Sequence, residues 1–224
     1  LDLYYLHMWD YMTPVEEVAR GMDDLVRQGK VQYVGLSDTP DWIVAEANTR
    51  AELMGWSRFV AMQAPYSLID RGVERSIMPA ARHWEMAFLA WGLLEDGLLT
   101  GKFMGEVEGP TRVNPAELNL SPRSQKILEE TRKVAEEAGR PMAQVAINWI
   151  RQQQRKGQVI PIIGARSRTQ LEQNLAALEW ELSPEHLQRL EEAGAIEMGF
   201  PHGFLENNRN IYGATRSKID SHRV

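Results

Sequence analysis

The chain has 224 residues, enough for one large domain or two small ones and for a sizeable core. Its 43% hydrophobic and 25% charged residues have the balance of a water-soluble globular protein, and a formal net charge of −6 argues against non-specific nucleic-acid binding, which needs a basic face. With no cysteine, disulfides, thiol nucleophiles and cysteine-ligated metals are excluded; no apolar run approaches the ~20 residues of a membrane span, no signal peptide is visible, and a cytoplasmic location is the default expectation.

Strand-like and helix-like segments alternate along the chain. Leu1 to Leu6 reads as a first strand, so the chain opens directly on an element, as a truncated chain would. Thr13, Pro14 and Glu16 give an N-cap, a first-turn proline and a capping-box partner; Val15, Val18, Ala19, Met22, Leu25 and Val26 follow at helical spacing, and Gly29 closes the segment. Val31 to Leu36 is a second strand. Thr39 and Pro40 open a helix with Ile43, Ala47, Ala51 and Met54 on one face. Phe59 to Gln63 is a third strand, followed by a helix around Val73 to His83, and Met86 to Trp91 is a fourth. The stretch from Leu94 to Leu120, rich in Gly, Pro and charge, exceeds ordinary loop lengths and is expected to be a functional loop.

Two helices follow, about Pro122 to Ala138 and Pro141 to Gln154, the second with Met142, Val145, Ala146, Trp149 and Ile150 on one side. Gln158 to Ile163 is a fifth strand and Ser167 to Leu178 another helix. Ser183 and Pro184 start a last helix, with Leu182 and Leu187 placed as a hydrophobic staple. Residues 195–224 form a polar tail with scattered aromatics, expected over the surface or partly over a site. The five βα units predict a single domain, an α/β fold with parallel strands covered on both faces. They fit an open doubly wound sheet, or the last five units of an eight-stranded barrel. The absence of GxGxxG after a first strand weakens the former, and a barrel of ~250 residues would need three further units ahead of this chain.

In parallel α/β folds, reactive groups gather at the C-terminal ends of the strands. Those ends are His7, Ser37 and Asp38, Gln63, Trp91 and Gly92, and Gly164 to Arg166. Each polar residue alone has a bland reading, a local backbone hydrogen bond or a solvated charge; their recurrence at successive strand ends points to a ligand site. At the last exit, GARSRTQ puts a glycine and Arg166 before a helix N-terminus, whose N–H groups and dipole favour a phosphate. Arginine adds a charge-assisted fork. The same Ser167 and Gln170 also satisfy an ordinary capping box. The five histidines are scattered without metal-ligand spacing, so no metal is expected; nucleophile-elbow and P-loop patterns are missing.

Five blocks in fixed order, LDLYYLH, GKVQYVGLSD, QAPYSLIDR, GLLTGKF and IPIIGARSRTQLEQNL, resemble the aldo-keto reductases, most closely the branch with potassium-channel β-subunits and related bacterial reductases. The resemblance implies a (β/α)8 TIM barrel of which this chain supplies strands four to eight, and NADP(H) as cofactor. It makes His7 the catalytic-type histidine that orients a substrate carbonyl. Ser37, Asp38 and Gln63 would hold the nicotinamide carboxamide, although Asp38 stands where asparagine is usual and accepts without donating. Trp91 would stack on the nicotinamide. Gly92 and Leu94 would offer backbone to the phosphates, Gly92 replacing a serine; Lys102 and Arg112 belong to a loop over the pyrophosphate. Gly164, Arg166, Gln170 and Asn174 fall at the adenosine end, with Arg166 favouring a 2′-phosphate and Gln173 standing where an acid is usual.

The implied reaction is hydride transfer between NADPH and an aldehyde or ketone. Its proton-donating tyrosine, with a lysine and an aspartate, would lie on strands ahead of Leu1, and neither Tyr4, Tyr5 nor Tyr66 substitutes for it. The alternatives are a nucleotide-sensing regulatory subunit and an inactive fragment. A small carbonyl substrate, no nucleic acid and no membrane are the expected partners; a homo-oligomer stays open.

Overall fold

A computed structural model describes residues 1–104, 120–206 and 213–218. Five strands, β1 (Leu3–Leu6), β2 (Tyr33–Ser37), β3 (Phe59–Pro65), β4 (Ala87–Trp91) and β5 (Val159–Pro161), form one sheet in the order of the chain. All four pairings are parallel. A doubly wound sheet reverses its strand order at a switch point, whereas unbroken sequential order is the arrangement of a barrel wall. The chain is therefore an α/β fold and a partial TIM barrel.

Helices α1 (Val15–Arg27), α2 (Asp41–Met54), α3 (Ile77–His83), α4 (Pro122–Ala138), α5 (Met142–Arg151), α6 (Arg168–Leu175), α7 (Pro184–Ala193) and α8 (His202–Glu206) fill the connections and tail. Three starts follow from sequence chemistry. The hydroxyls of Ser121, Ser167 and Ser183 accept from the backbone N–H of Ser124, Gln170 and His186, with proline in the first turn of α4 and α7. Gly139 ends α4 in the left-handed conformation that glycine alone adopts without cost. The expected capping box of α1 does not form. Pro14 is the N-cap, and the Thr13 hydroxyl donates instead to Asp10, whose carboxylate also accepts the Met12 and Thr13 N–H groups. Thr39 likewise donates to the Ser37 carbonyl, so α2 starts without a side-chain cap.

Strand alternation sorts the sheet into two faces. Val34, Leu36, Phe59, Met62, Ala64, Phe88, Ala90 and Val159 are buried with Ala19, Met22, Ile43, Ala47, Met78, Val145, Trp149 and Ile150 from the helices. The expected α5 stripe is fully buried. On α2, however, Met54, the last residue before Gly55, is exposed, and Val44 near the start of the helix is buried as well as the expected Ile43, Ala47 and Ala51. The opposite face carries Tyr5, Gly35 and Ala61 in one cross-strand row, and Ser37, Gln63, Leu89 and Ile160 in the next. A register shift between Val34 and Gly35 lets Phe59 pair with Val34 on the helix-covered face although Ala61, two residues on, belongs to the opposite one. Gly35 is needed there: a Cβ would lie 2.6 Å from the Tyr5 ring.

One ion network pins the outer layer. Arg71, only 4% exposed, pairs through Nε and Nη2 with Glu74 and also with Glu191 of α7. Lys156 meets Glu74 at 2.9 Å and Glu191 at 3.0 Å, and the Tyr66 hydroxyl donates to Glu74 at 2.6 Å. Trp149 lies beneath both cations. Burial and the neighbouring Glu74 carboxylate raise the Tyr66 pKa.

Candidate functional site

The expected exit residues do converge at one end of the sheet. Ser37 and Gln63 are direct cross-strand partners, and Trp91 pairs with Pro65, two residues beyond Gln63. His7 follows Leu6, the partner of Leu36, and so stands one step past β1 beside Ser37. The exits are laced by backbone: Asp38 donates to the Gln63 carbonyl at 3.1 Å, Trp9 to that of Asp38 at 3.5 Å, Tyr66 to that of Trp91 at 3.0 Å, and Ile162 to that of Ala90 at 2.8 Å.

Exposure differs along this row. Ser37 is 3% exposed and Gln63 half-buried, while His7, Asp38, Trp91 and Gly92 face outward, Trp91 with 40% of its surface free. Asp38 has φ of 45°, a left-handed geometry that Asp and Asn tolerate better than most residues, which explains an acidic residue at this turn. Gly92, with φ of 73°, and Gly164 have open space where a Cβ would stand, so bare backbone faces the exterior at two successive exits.

Beyond Gly92 the chain makes a tight 3-10 turn, Glu95–Thr100, in which Glu95 and Asp96 both have positive φ. Lys102 folds back so that its Nζ would lie 2.6 Å from a Cβ on Gly97. Leu94 packs partly buried against the core, and its carbonyl accepts from the Gly97 and Leu99 N–H groups. Arg112 lies outside the described residues. At the last exit Arg166 is exposed at the start of α6. The Gln170 side chain accepts from the Arg166 N–H at 2.9 Å, and the Asn174 amide donates to the Gly164 carbonyl at 3.1 Å. Both therefore brace the exit loop, in keeping with the capping alternative for Ser167 and Gln170.

Two residues near the site escaped sequence reasoning. Ser67, wholly buried after β3, accepts from the N–H groups of Ile69 and Asp70 and donates to Glu95. Burial, opposed by the Ser67 hydrogen bond and aided by Asp70 and Asp96, raises the Glu95 pKa. The visible signals were a serine in a turn after a strand and acidic residues next to Gly97, neither distinctive alone. Apolar side chains rim the same end, Met8, Tyr11 and Met12 after β1 all being exposed. Among the described residues no group of three potential ligands could hold a metal.

The sequence pattern of the aldo/keto reductase family matches residues 1–195. This chain belongs to the aldo/keto reductase family. Among its relatives, a probable aryl-alcohol dehydrogenase of Saccharomyces cerevisiae is 36% identical over 217 residues, covering 92% of this chain and 63% of that protein. An NADP(+) aryl-alcohol dehydrogenase of Phanerodontia chrysosporium is 35% identical over 213 residues, covering 90% and 54%. A norsolorinic acid reductase of Emericella nidulans is 35% identical over 205 residues, covering 92% and 51%. The chain thus spans between about half and two-thirds of the length of these three reductases and dehydrogenases. Among the described residues no helix is long and apolar enough to cross a membrane.

Proposed function

We propose that this chain provides the cofactor-binding wall of an NADP-dependent oxidoreductase acting on aldehydes and ketones, with aryl carbonyl compounds and their alcohols as the substrate class. The observation that carries the reading is the co-location of five strand exits with complementary chemistry, in a chain of this family. The residues present fit the cofactor. Ser37 and Gln63, paired across β2 and β3, can both donate to a carboxamide oxygen, and Asp38 can accept from a carboxamide N–H. The open face of Trp91 suits a planar ring. Bare backbone at Gly92 and Gly164 allows close approach of phosphate, and Arg166 before α6 suits a 2′-phosphate.

When bound, NADPH supplies the hydride. His7 would donate one hydrogen bond to the substrate carbonyl oxygen and so orient that carbonyl. Met8, Tyr11 and Met12 give an apolar, polarizable rim that suits an aromatic substrate. By the family resemblance the proton would come from a tyrosine that none of Tyr4, Tyr5 and Tyr66 replaces; the Tyr66 hydroxyl is committed to Glu74. Fluorescence titration of the 224-residue chain tests the reading. NADPH should bind more tightly than NADH, and Arg166→Ala should weaken NADPH selectively. Equal affinity for the two cofactors in the wild type would sink the Arg166 assignment, and no binding of either would sink the site.

A further inference from the structure

Between Gly92 and Gly97 the backbone runs through an unusual conformation. Gly92 and Gly97 have φ of 73° and 99°, as glycine readily does, but Glu95 and Asp96 between them have φ of 46° and 50°. A left-handed conformation at a residue with a Cβ is costly, and two in succession persist only where surrounding contacts impose them. The turn is closed by its own backbone: Glu95 donates to the Gly92 carbonyl, and Gly97 and Leu99 both donate to Leu94. Those bonds also exist in ordinary turns and do not select the left-handed form at Glu95.

The side chain of Glu95 supplies the missing constraint. Its carboxylate accepts from Ser67, wholly buried beneath the turn after β3. The Ser67 oxygen is already an acceptor for two backbone groups, Ile69 N–H at 3.0 Å and Asp70 N–H at 2.8 Å, so its single proton is directed to Glu95. Ser67 also belongs to the segment whose preceding residue, Tyr66, donates to the Trp91 carbonyl. The loops after β3 and β4 are thereby fastened to each other twice, once through backbone and once through this side-chain pair.

We infer that Glu95 is a positioning residue of the cofactor site: held by Ser67, it keeps the Gly92–Gly97 turn in the left-handed form that presents the backbone of Gly92 to Leu94 to the cofactor's phosphates. The inference rests on the NADP reading above for the ligand, and on the turn geometry alone for the mechanism. Glu95 acts through the backbone and makes no contact with substrate.

The test uses the full chain in Glu95→Ala, Ser67→Ala, the double variant, Glu95→Gln and Glu95→Gly. In the free protein, hydrogen exchange at the Gly97 and Leu99 amides should accelerate about tenfold in Glu95→Ala and Ser67→Ala, and no further in the double variant. The side chain of Gln also accepts from Ser67, and Gly adopts the left-handed form unaided. Both should therefore exchange near the wild-type rate. Affinity for NADPH should follow the same order, falling about tenfold in the two alanine variants, while the urea midpoint of global unfolding changes little in Glu95→Ala and falls in Ser67→Ala, where the Ile69 and Asp70 N–H groups lose their acceptor. Wild-type exchange in Glu95→Ala overturns the mechanism whether or not NADPH binds. Faster exchange with unchanged NADPH affinity overturns the link to the cofactor. Loss of affinity that tracks the global unfolding midpoint across the five variants reduces Glu95 to a structural residue. Failure of the wild type to bind NADPH overturns the ligand, and with it the functional half of the inference, while the exchange data still decide the mechanical half.

Discussion

Replacing Gly35 by alanine should destabilise the chain, and removing the Tyr5 side chain should reverse the sign. The two residues are cross-strand partners on the face of the sheet opposite the helices. A Cβ on Gly35 would stand 2.6 Å from Tyr5 Cε1 and 2.9 Å from both Cδ1 and Cζ. Carbon atoms pack best at ~3.5–4.0 Å, so the ring must withdraw by ~1 Å or leave its rotamer. Overpacking of this kind costs ~1–3 kcal/mol. Against it, alanine reduces the entropy of the unfolded chain and gains ~0.4–1 kcal/mol wherever its native backbone geometry is accessible. The net expectation is a loss of about 0–2.6 kcal/mol from Gly35→Ala in the wild type. In a Tyr5→Ala background only the favourable term remains, and the same substitution should stabilise by about 0.4–1 kcal/mol. Urea unfolding of the four proteins, followed by far-ultraviolet circular dichroism, gives the coupling directly. An identical effect of Gly35→Ala in both backgrounds would refute the claim that the Tyr5 ring is what requires glycine here. The same pair sets the row of side chains beneath His7 and Ser37, so NADPH affinity should fall in Gly35→Ala and recover in part in the double variant.

Asn48→Ala should cost about 2–3 kcal/mol in urea unfolding, because its buried amide donates to the Phe59 carbonyl at 3.1 Å and accepts from the Phe59 N–H at 2.9 Å; a cost below ~0.5 kcal/mol would mean these groups find other partners. Gly194→Ala should also destabilise, by about 1–3 kcal/mol, since the new Cβ would lie 2.9 Å from the Leu68 carbonyl oxygen, and backbone yields less readily than the Tyr5 ring; a neutral result by thermal melting would contradict this. At Asp23, burial pushes the carboxyl up, but the Ser57 N–H, Arg27 and the Ser57 hydroxyl outweigh it and hold the pKa below the ordinary aspartate value. In the window between the folded and unfolded values the unfolded chain binds more protons, so this contribution is full above the unfolded value and is lost as pH falls through the folded one. Urea midpoints from pH 6 to pH 3 should therefore fall less steeply in Asp23→Asn than in wild type; parallel curves would show that Asp23 is not part of the acid response.

The elements were legible because each carries a local physical reason. Ser121, Ser167 and Ser183 cap helices with their own hydroxyls, and Met142 to Ile150 face inward by spacing alone. Thr13 had the same credentials and failed, since the helix starts one residue further on, with Pro14 as N-cap, and the Thr13 hydroxyl belongs to the preceding turn, where it donates to Asp10; loop shape decides which residue caps. Strand ends were readable to within about two residues, and with them His7, Ser37, Gln63, Trp91 and Arg166 as residues at one end of the sheet.

What the sequence determined by itself was this alternation, and which residues end the strands, because hydrophobic period and turn chemistry act over a few positions. Tertiary structure alone decided three things. The unbroken strand order separates a barrel wall from a doubly wound sheet, and no local pattern encodes it. The role of Gly35 exists only because Tyr5 lies across from it, 30 residues away. Glu95 and Ser67, 28 residues apart, look like ordinary surface polar residues until the fold buries the serine and brings the two loops into hydrogen-bonding distance. Each of these depends on a contact between distant segments, and so on the packing that brings them together.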